Sequence, residues 1–195
     1  GPNTGGMGAY SPSPIIDKGV EKKIINKIIK PTLLYLKKKN HPYTGFLYVG
    51  LMIKNRNPYL IEYNIRMGDP ECQVILPRLK TNLFNIINMS LSNKLKRLKI
   101  KWNKSKCMTV VLCSKGYPNS YKKNLRINNL KSILLDNKTS IFHAGTSYVK
   151  NNLVSTGGRV LNITSMGDNL LAVRKKIHKI IKKINWKYGF YRSDI

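Results

Sequence analysis

Glu62-Tyr63-Asn64-Ile65-Arg66-Met67-Gly68-Asp69-Pro70-Glu71 is the stretch on which the reading of this chain turns. It gathers three acidic residues, Glu62, Asp69 and Glu71, in a chain that has 8 in all, so its carboxylates are concentrated where most segments have none. Glu62, Asn64 and Arg66 alternate with Tyr63 and Ile65, the period of a β-strand, which puts the three polar side chains on one face. A carboxylate and an amide oxygen side by side are hard donors of the kind Mg²⁺ takes, and can hold a metal against nucleotide phosphates. Arg66 then supplies the positive charge that phosphoryl transfer requires. The same spacing also fits a solvated Glu on a half-exposed strand, and both readings stand at this level. Asp69 and Glu71, flanking Pro70, suit either catalysis or the capping of a following helix.

Upstream, Gly45 to Ile53 is rich in Phe, Leu, Tyr, Val and Ile and reads as a buried strand. Lys54 to Pro58 form a polar turn and Tyr59 to Asn64 the returning strand, so a β-hairpin is expected. Earlier still, Val20, Ile24, Ile25, Ile28 and Ile29 recur at helical spacing after Asp17, a suitable N-cap. Pro31 is expected to kink or restart this helix, with Leu33, Leu34 and Leu36 continuing its apolar face. The opening Gly1 to Pro14 fits a terminal tail, or a loop whose glycines let backbone amides approach a ligand with Asn3 and Thr4 as polar contacts.

Downstream, Glu71 to Lys80 and Asn82 to Ser92 read as helices, the first broken near Pro77. Asn93 to Lys106 is Lys-rich, with Leu95, Leu98, Ile100 and Trp102 as apolar anchors, and reads as a connection. Beyond it, strands are expected at 108–112, 140–142 and 159–164, with Gly116, Gly145, Gly157 and Gly158 marking turns. An amphipathic helix over 167–185 closes the chain, with Asp168 as N-cap and Leu170, Leu171, Val173, Ile177, Ile180, Ile181 and Ile184 inward. His143, followed by Ala144, Gly145 and Thr146, is the histidine best placed to face a ligand; His41 and His178 read as surface or packing residues.

The 195 residues, 42% of them apolar, suffice for one domain or two small ones, and the 36 Lys and Arg give a formal net charge of +28. Such a surface attracts polyanions. The basic residues are mostly Lys, however, and occur in every segment beside heavy Ile and Asn usage, without Arg and aromatics interleaved on one face. That is the mark of drift in coding composition, and no specific nucleic-acid site is expected. Cys72, Cys107 and Cys113 are odd in number and widely spaced, suggesting neither a zinc set nor a disulfide framework. No apolar run is long enough to span a bilayer and no secretory signal opens the chain, so no membrane partner and a cytoplasmic setting are expected.

The opening Gly1 to Pro12, Tyr43-Thr44-Gly45-Phe46-Leu47-Tyr48 and the stretch from Glu62 to Glu71 resemble, in order, the signatures of phosphoribosylamine–glycine ligases. Phe142-His143-Ala144-Gly145-Thr146, Gly157-Gly158-Arg159-Val160-Leu161 and the ending Tyr191-Arg192-Ser193-Asp194-Ile195 are similar to that family's C-terminal domain. The resemblance implies an α+β fold: the C-terminal part of an ATP-grasp domain over 1–92, antiparallel strands with helices, then a linker over 93–106 and a small α+β domain over 107–195. It implies an ATP-dependent ligase that joins glycine to 5-phosphoribosylamine through glycyl phosphate, giving glycinamide ribonucleotide, ADP and phosphate in purine synthesis.

Carried over by position, Glu62 and Asn64 match the family's ligands for Mg²⁺ or Mn²⁺ bridging the phosphates of ATP. Arg66 is expected as a catalytic group near the phosphoryl centre, and Asn3, Thr4, Gly5 and Gly6 along the substrate side. Met67 stands where the family usually has Phe, and Val49, Gly50 and Leu51 lack the second metal carboxylate of many ATP-grasp enzymes. The family's N-terminal half would lie upstream of Gly1, so the chain is expected to need that part as a partner for activity. A basic nucleic-acid-binding module and an ATP-grasp ligase of other specificity are the alternatives.

Overall fold

The computed structural model describes residues 6–195. The chain forms two compact units, each assembled from separate stretches: one from residues up to Ser11 with Asp69–Arg78 and Asn103–Ile195, the other from Pro12–Gly68 and Leu79–Trp102.

The first unit is built on an antiparallel sheet whose centre is β4 (Lys106–Ser114) and β9 (Arg159–Gly167). Strand β1 (Gly8–Ser11) and the short β10 (Gly189–Phe190) both pair with β4, and β6 (Thr139–His143) pairs with β9. Nearly all of β4 is buried, which explains its almost continuous apolar run: successive side chains enter different cores. Met108, Val110 and Leu112 meet Leu161, Ile163 and helix α5 (Leu170–Ile184), while Val111 and Cys113 pack with Met7, Tyr117 and Phe190. On α5 the predicted stripe Val173, Ile177, Ile180, Ile181 and Ile184 is buried, but Leu171 is 64% exposed, lying in the first turn on the outer side of the helix. The N-cap is Asn169, not Asp168: its Oδ1 accepts from the amides of Leu171 (2.8 Å) and Ala172 (3.2 Å). A helix α3 (Cys72–Ile75), continued by a 3₁₀ turn over Leu76–Arg78, contacts β1, β4 and β9 and buries Val74. A second sheet joins β5 (Leu125–Arg126), β8 (Asn152–Ser155) and β7 (Thr146–Val149).

The second unit opens with α1 (Lys18–Ile24), whose N-cap Asp17 accepts from the amides of Gly19 and Val20, both at 2.9 Å. A π-helical stretch over Ile25–Ile29 leads into α2 (Lys30–Lys38). Pro31 sits in the first turn of α2. Its ring lacks an N–H and crowds the carbonyl four residues back, and the widened π turn just before it accommodates both effects, so the helix carries on. The expected apolar face is not buried there: α2 has no buried residue, and Leu34 points to solvent. Strands β2 (Tyr48–Lys54) and β3 (Asn57–Asn64) form an antiparallel ribbon joined by Asn55 and Arg56, both with positive φ, the two-residue turn that matches strand twist. Strand β2 starts later than the composition of 45–53 suggested and is only half-buried, because a two-stranded ribbon cannot cover both of its faces. Helix α4 (Leu83–Leu91) follows, capped by the Asn82 side chain. No helix among the described residues is long and apolar enough to cross a membrane.

Candidate functional site

The register of the ribbon determines where the polar side chains of β3 go. Glu62 pairs with Gly50 and Asn64 with Tyr48, and a bulge between Gly50 and Leu51 leaves Ile61 as the extra residue. The bulge precedes Glu62, so Glu62 and Asn64 lie on a regular stretch and share a face, as the alternation predicts. Tyr63 takes the opposite face, where its hydroxyl meets Thr32 Oγ1 at 2.6 Å and ties the ribbon to α2. Lys23 on α1 adds bonds from Nζ to the Arg56 carbonyl and to Asn57 Oδ1, both 2.9 Å. The Glu62–Asn64 face is therefore turned away from the side of β3 that Thr32 holds.

Gly50 contributes by lacking a side chain: a Cβ there would lie 3.0 Å from Glu62 Cγ, in the space that the Glu62 stem fills across the strand pair. The donor set, one carboxylate and one amide oxygen, fits a hard divalent cation that keeps waters and binds phosphate oxygens as well. It does not make an all-protein cage, and among the described residues no group of three or more His, Cys, Asp or Glu forms one. Arg66 folds back onto this edge, donating from Nη2 to Asn64 Oδ1 at 3.4 Å and from Nη1 to the Met67 carbonyl at 3.0 Å. Arg66 thus meets Asn64, which shares its face of β3 with Glu62, but Arg66 itself lies beyond the end of the strand and does not continue the expected alternation. Asn3, Thr4 and Gly5 lie outside the described residues.

Asp69 and Glu71 do not cap α3 through their side chains. Glu71 occupies the N-cap position without a side-chain cap bond, and Asp69 is engaged elsewhere. Its Oδ1 accepts from Gln73 Nε2 at 2.9 Å and its Oδ2 pairs with Arg159 Nη2 at 3.1 Å. Arg159 Nη1 also donates to the Asp69 carbonyl at 2.7 Å and to the Gly6 carbonyl at 3.4 Å. Gly6, with φ +85°, sits so close that a Cβ would meet Pro70 Cδ at 2.7 Å. Arg159 was not singled out from sequence; its only signal was the Gly-Gly-Arg run that opens β9.

His143 Nδ1 bonds Thr146 Oγ1 at 2.8 Å, and the ring borders a cavity of about 480 Å³ with Arg126, Lys131 and Tyr148. His178 packs on Tyr191, ring centroids 5.2 Å apart; burial and the nearby Arg174 and Lys182 lower its pKa. The three cysteines are free, and burial pushes the Cys107 thiol up to about 11 and that of Cys113 up to about 12.

Two family models match the chain. The phosphoribosylglycinamide synthetase ATP-grasp (A) domain covers residues 1–72, and the phosphoribosylglycinamide synthetase C domain covers 107–195. A phosphoribosylamine–glycine ligase of Agrobacterium fabrum is 42% identical over all 195 residues, which span 46% of that protein. The solved phosphoribosylamine–glycine ligase of Thermotoga maritima superposes on the whole chain with a TM-score of 0.84 at 34% identity, over 47% of its own length. The biotin carboxylase domain of the Hydrogenobacter thermophilus 2-oxoglutarate carboxylase, solved with magnesium ADP, shares the fold at TM-score 0.61 and 9% identity, over 95% of this chain and 39% of its own. The chain spans about half the length of the curated relatives it matches.

Proposed function

The chain belongs to the phosphoribosylglycinamide synthetase family, and on that premise we propose that it carries the metal edge and the C-terminal domain of an ATP-dependent ligase. The ligase joins glycine to 5-phosphoribosylamine. The glycine carboxylate takes the terminal phosphoryl group of ATP, releasing ADP, and the amine of phosphoribosylamine then attacks the acyl carbon and displaces phosphate. The product is glycinamide ribonucleotide.

The observation that carries this reading is the shared face of Glu62 and Asn64 on β3, with Gly50 leaving room beneath Glu62. In this reading Glu62 and Asn64 hold Mg²⁺ or Mn²⁺, which when bound neutralises phosphate charge. Arg66, poised on Asn64 Oδ1, directs its guanidinium at the transferring phosphoryl group. Asn3 to Gly6 line the substrate side. Residues 1–92 belong to the ATP-grasp part and 107–195 to the C-terminal domain, with 93–106 between them, and the nucleotide lid comes from the upstream half found in the longer relatives. The setting is cytoplasmic, and the surface charge serves no nucleic-acid site.

The test is glycinamide ribonucleotide formation by the 195 residues alone and by the same chain joined to its upstream half. Activity is expected only in the longer protein, and there Glu62→Gln is expected to lower it at least a hundredfold at saturating ATP and to raise the Mg²⁺ requirement. Product formed by a Glu62→Gln protein at wild-type rate and wild-type Mg²⁺ dependence removes the proposed site.

A further inference from the structure

Arg159 makes three contacts with two segments far from it in sequence. Its guanidinium, on a side chain 27% exposed, reaches the Asp69 carboxylate, the Asp69 carbonyl and the Gly6 carbonyl. An arginine fork serves such a cluster because its donors are fixed in one plane, so satisfying one acceptor dictates where the others must be. The root of the fork lies beside a glycine: a Cβ on Gly145 would stand 2.5 Å from the Arg159 carbonyl.

The two clamped points share a context. Asp69 follows Arg66 by three residues, and Gly6 directly follows Asn3, Thr4 and Gly5. Each is the end of a segment to which the proposed reaction assigns a role. Both carboxylate oxygens of Asp69 are engaged within the clamp: Gln73 holds one, Arg159 the other. Gly6 fits the clamp because it has no side chain and adopts a positive φ, so its carbonyl can come beside that of Asp69.

We propose that Arg159 is a positioning residue for the ligase reaction, holding Asp69, three residues after Arg66, and Gly6, the end of the glycine-rich opening, with Asp69 acting as its strut. The inference rests on the ligase reading above. A misplacement of about 1 Å at a reacting centre costs on the order of 10²-fold in rate. Loss of the clamp is therefore expected in kcat, with KM for ATP little changed.

The experiment uses the full-length protein, chain plus upstream half, assayed for glycinamide ribonucleotide, with thermal unfolding measured on every variant. Arg159→Ala is expected to lower kcat about 10- to 100-fold with KM for ATP within twofold and a melting midpoint within a few degrees of wild type. Arg159→Lys is expected to recover part of kcat, since an ammonium can hold one or two of the three acceptors. Asp69→Asn, which keeps the carbonyl acceptor, is expected to lower kcat less than Arg159→Ala does, and combining the two is expected to cost no more than Arg159→Ala alone. Should Arg159→Ala fail to fold, Asp69→Asn decides: a folded protein with unchanged kcat overturns the proposal. So does a folded Arg159→Ala with kcat within twofold of wild type, or a double variant whose losses multiply. A wild-type protein that makes no product removes the ligase reading and this proposal with it, whereas an active wild type with indifferent variants removes the proposal alone.

Discussion

Gly145→Ala is the substitution whose cost the structure states most directly. The new methyl would stand 2.5 Å from the Arg159 carbonyl oxygen, 2.8 Å from Gly157 Cα and 2.9 Å from Gly157 N, where ordinary contact begins at about 3.5 Å. All three neighbours are backbone, so no side chain can swing aside, and the turn after β6 must part from the start of β9 by about 1 Å. Three hydrogen bonds cross that seam: Ala144 N to Val160 O at 3.0 Å, Gly145 N to Val160 O at 3.1 Å, and Thr156 N to Gly145 O at 2.8 Å. Overpacking costs about 1–3 kcal/mol, and each bond stretched beyond reach adds about 1 kcal/mol. The sum expected for Gly145→Ala is about 2–4 kcal/mol, or roughly 5–15 °C in melting midpoint. Gly157→Ala is the internal control, because its methyl would meet the same region at 3.2 Å, a tightness that small shifts relieve. Urea unfolding followed by far-ultraviolet circular dichroism measures both. If Gly145→Ala lies within about 0.5 kcal/mol of wild type, or Gly157→Ala costs as much, the steric reasoning fails.

Two further outcomes follow from helix α5. Asn169→Ala is expected to destabilise by about 1 kcal/mol through loss of two capping bonds, while Asp168→Ala next to it stays within about 0.5 kcal/mol of wild type; equal costs in urea titrations contradict the assignment of the cap. The lowered pKa of His178 means that the unfolded chain takes up its proton first as pH falls. Stability is therefore expected to decline below about pH 6.5, the ordinary histidine value, and His178→Gln is expected to flatten that decline in melting midpoints measured from pH 7.5 to 5.5. An undiminished slope in the variant assigns the effect to other groups.

The parts of the fold that were legible in sequence are those where one period dominates. The alternation of Glu62 and Asn64 located their common face on β3, and the spacing of Val173, Ile177, Ile180, Ile181 and Ile184 located the buried face of α5. Strands β1, β5, β7, β8 and β10, of two to four residues each, gave no such signal, being too short to show a period and defined by their partners. Propensity misled at Gly45 to Ile53, where strand-forming residues sit on a two-stranded ribbon and not in a core, and at Asp168, where either of two adjacent side chains had the chemistry to cap. Arg159 was illegible for a different reason. Its role comes from Asp69 and Gly6, 90 and 153 residues away, and no local pattern announces so distant a pairing.

Strand β1 lies beside β4 but is separated from it along the chain by the whole second unit. Expression of 107–195 by itself would strip the backbone partners from Cys107 to Val110, baring amides and carbonyls in a strand that is buried over nearly its whole length. An open β-edge of that kind recruits whatever extended peptide it meets. Attempts to produce the terminal ninety-odd residues as a free-standing module should accordingly yield self-associating material, and a soluble version calls for Met7 to Ser11 grafted back on as a short leading strand.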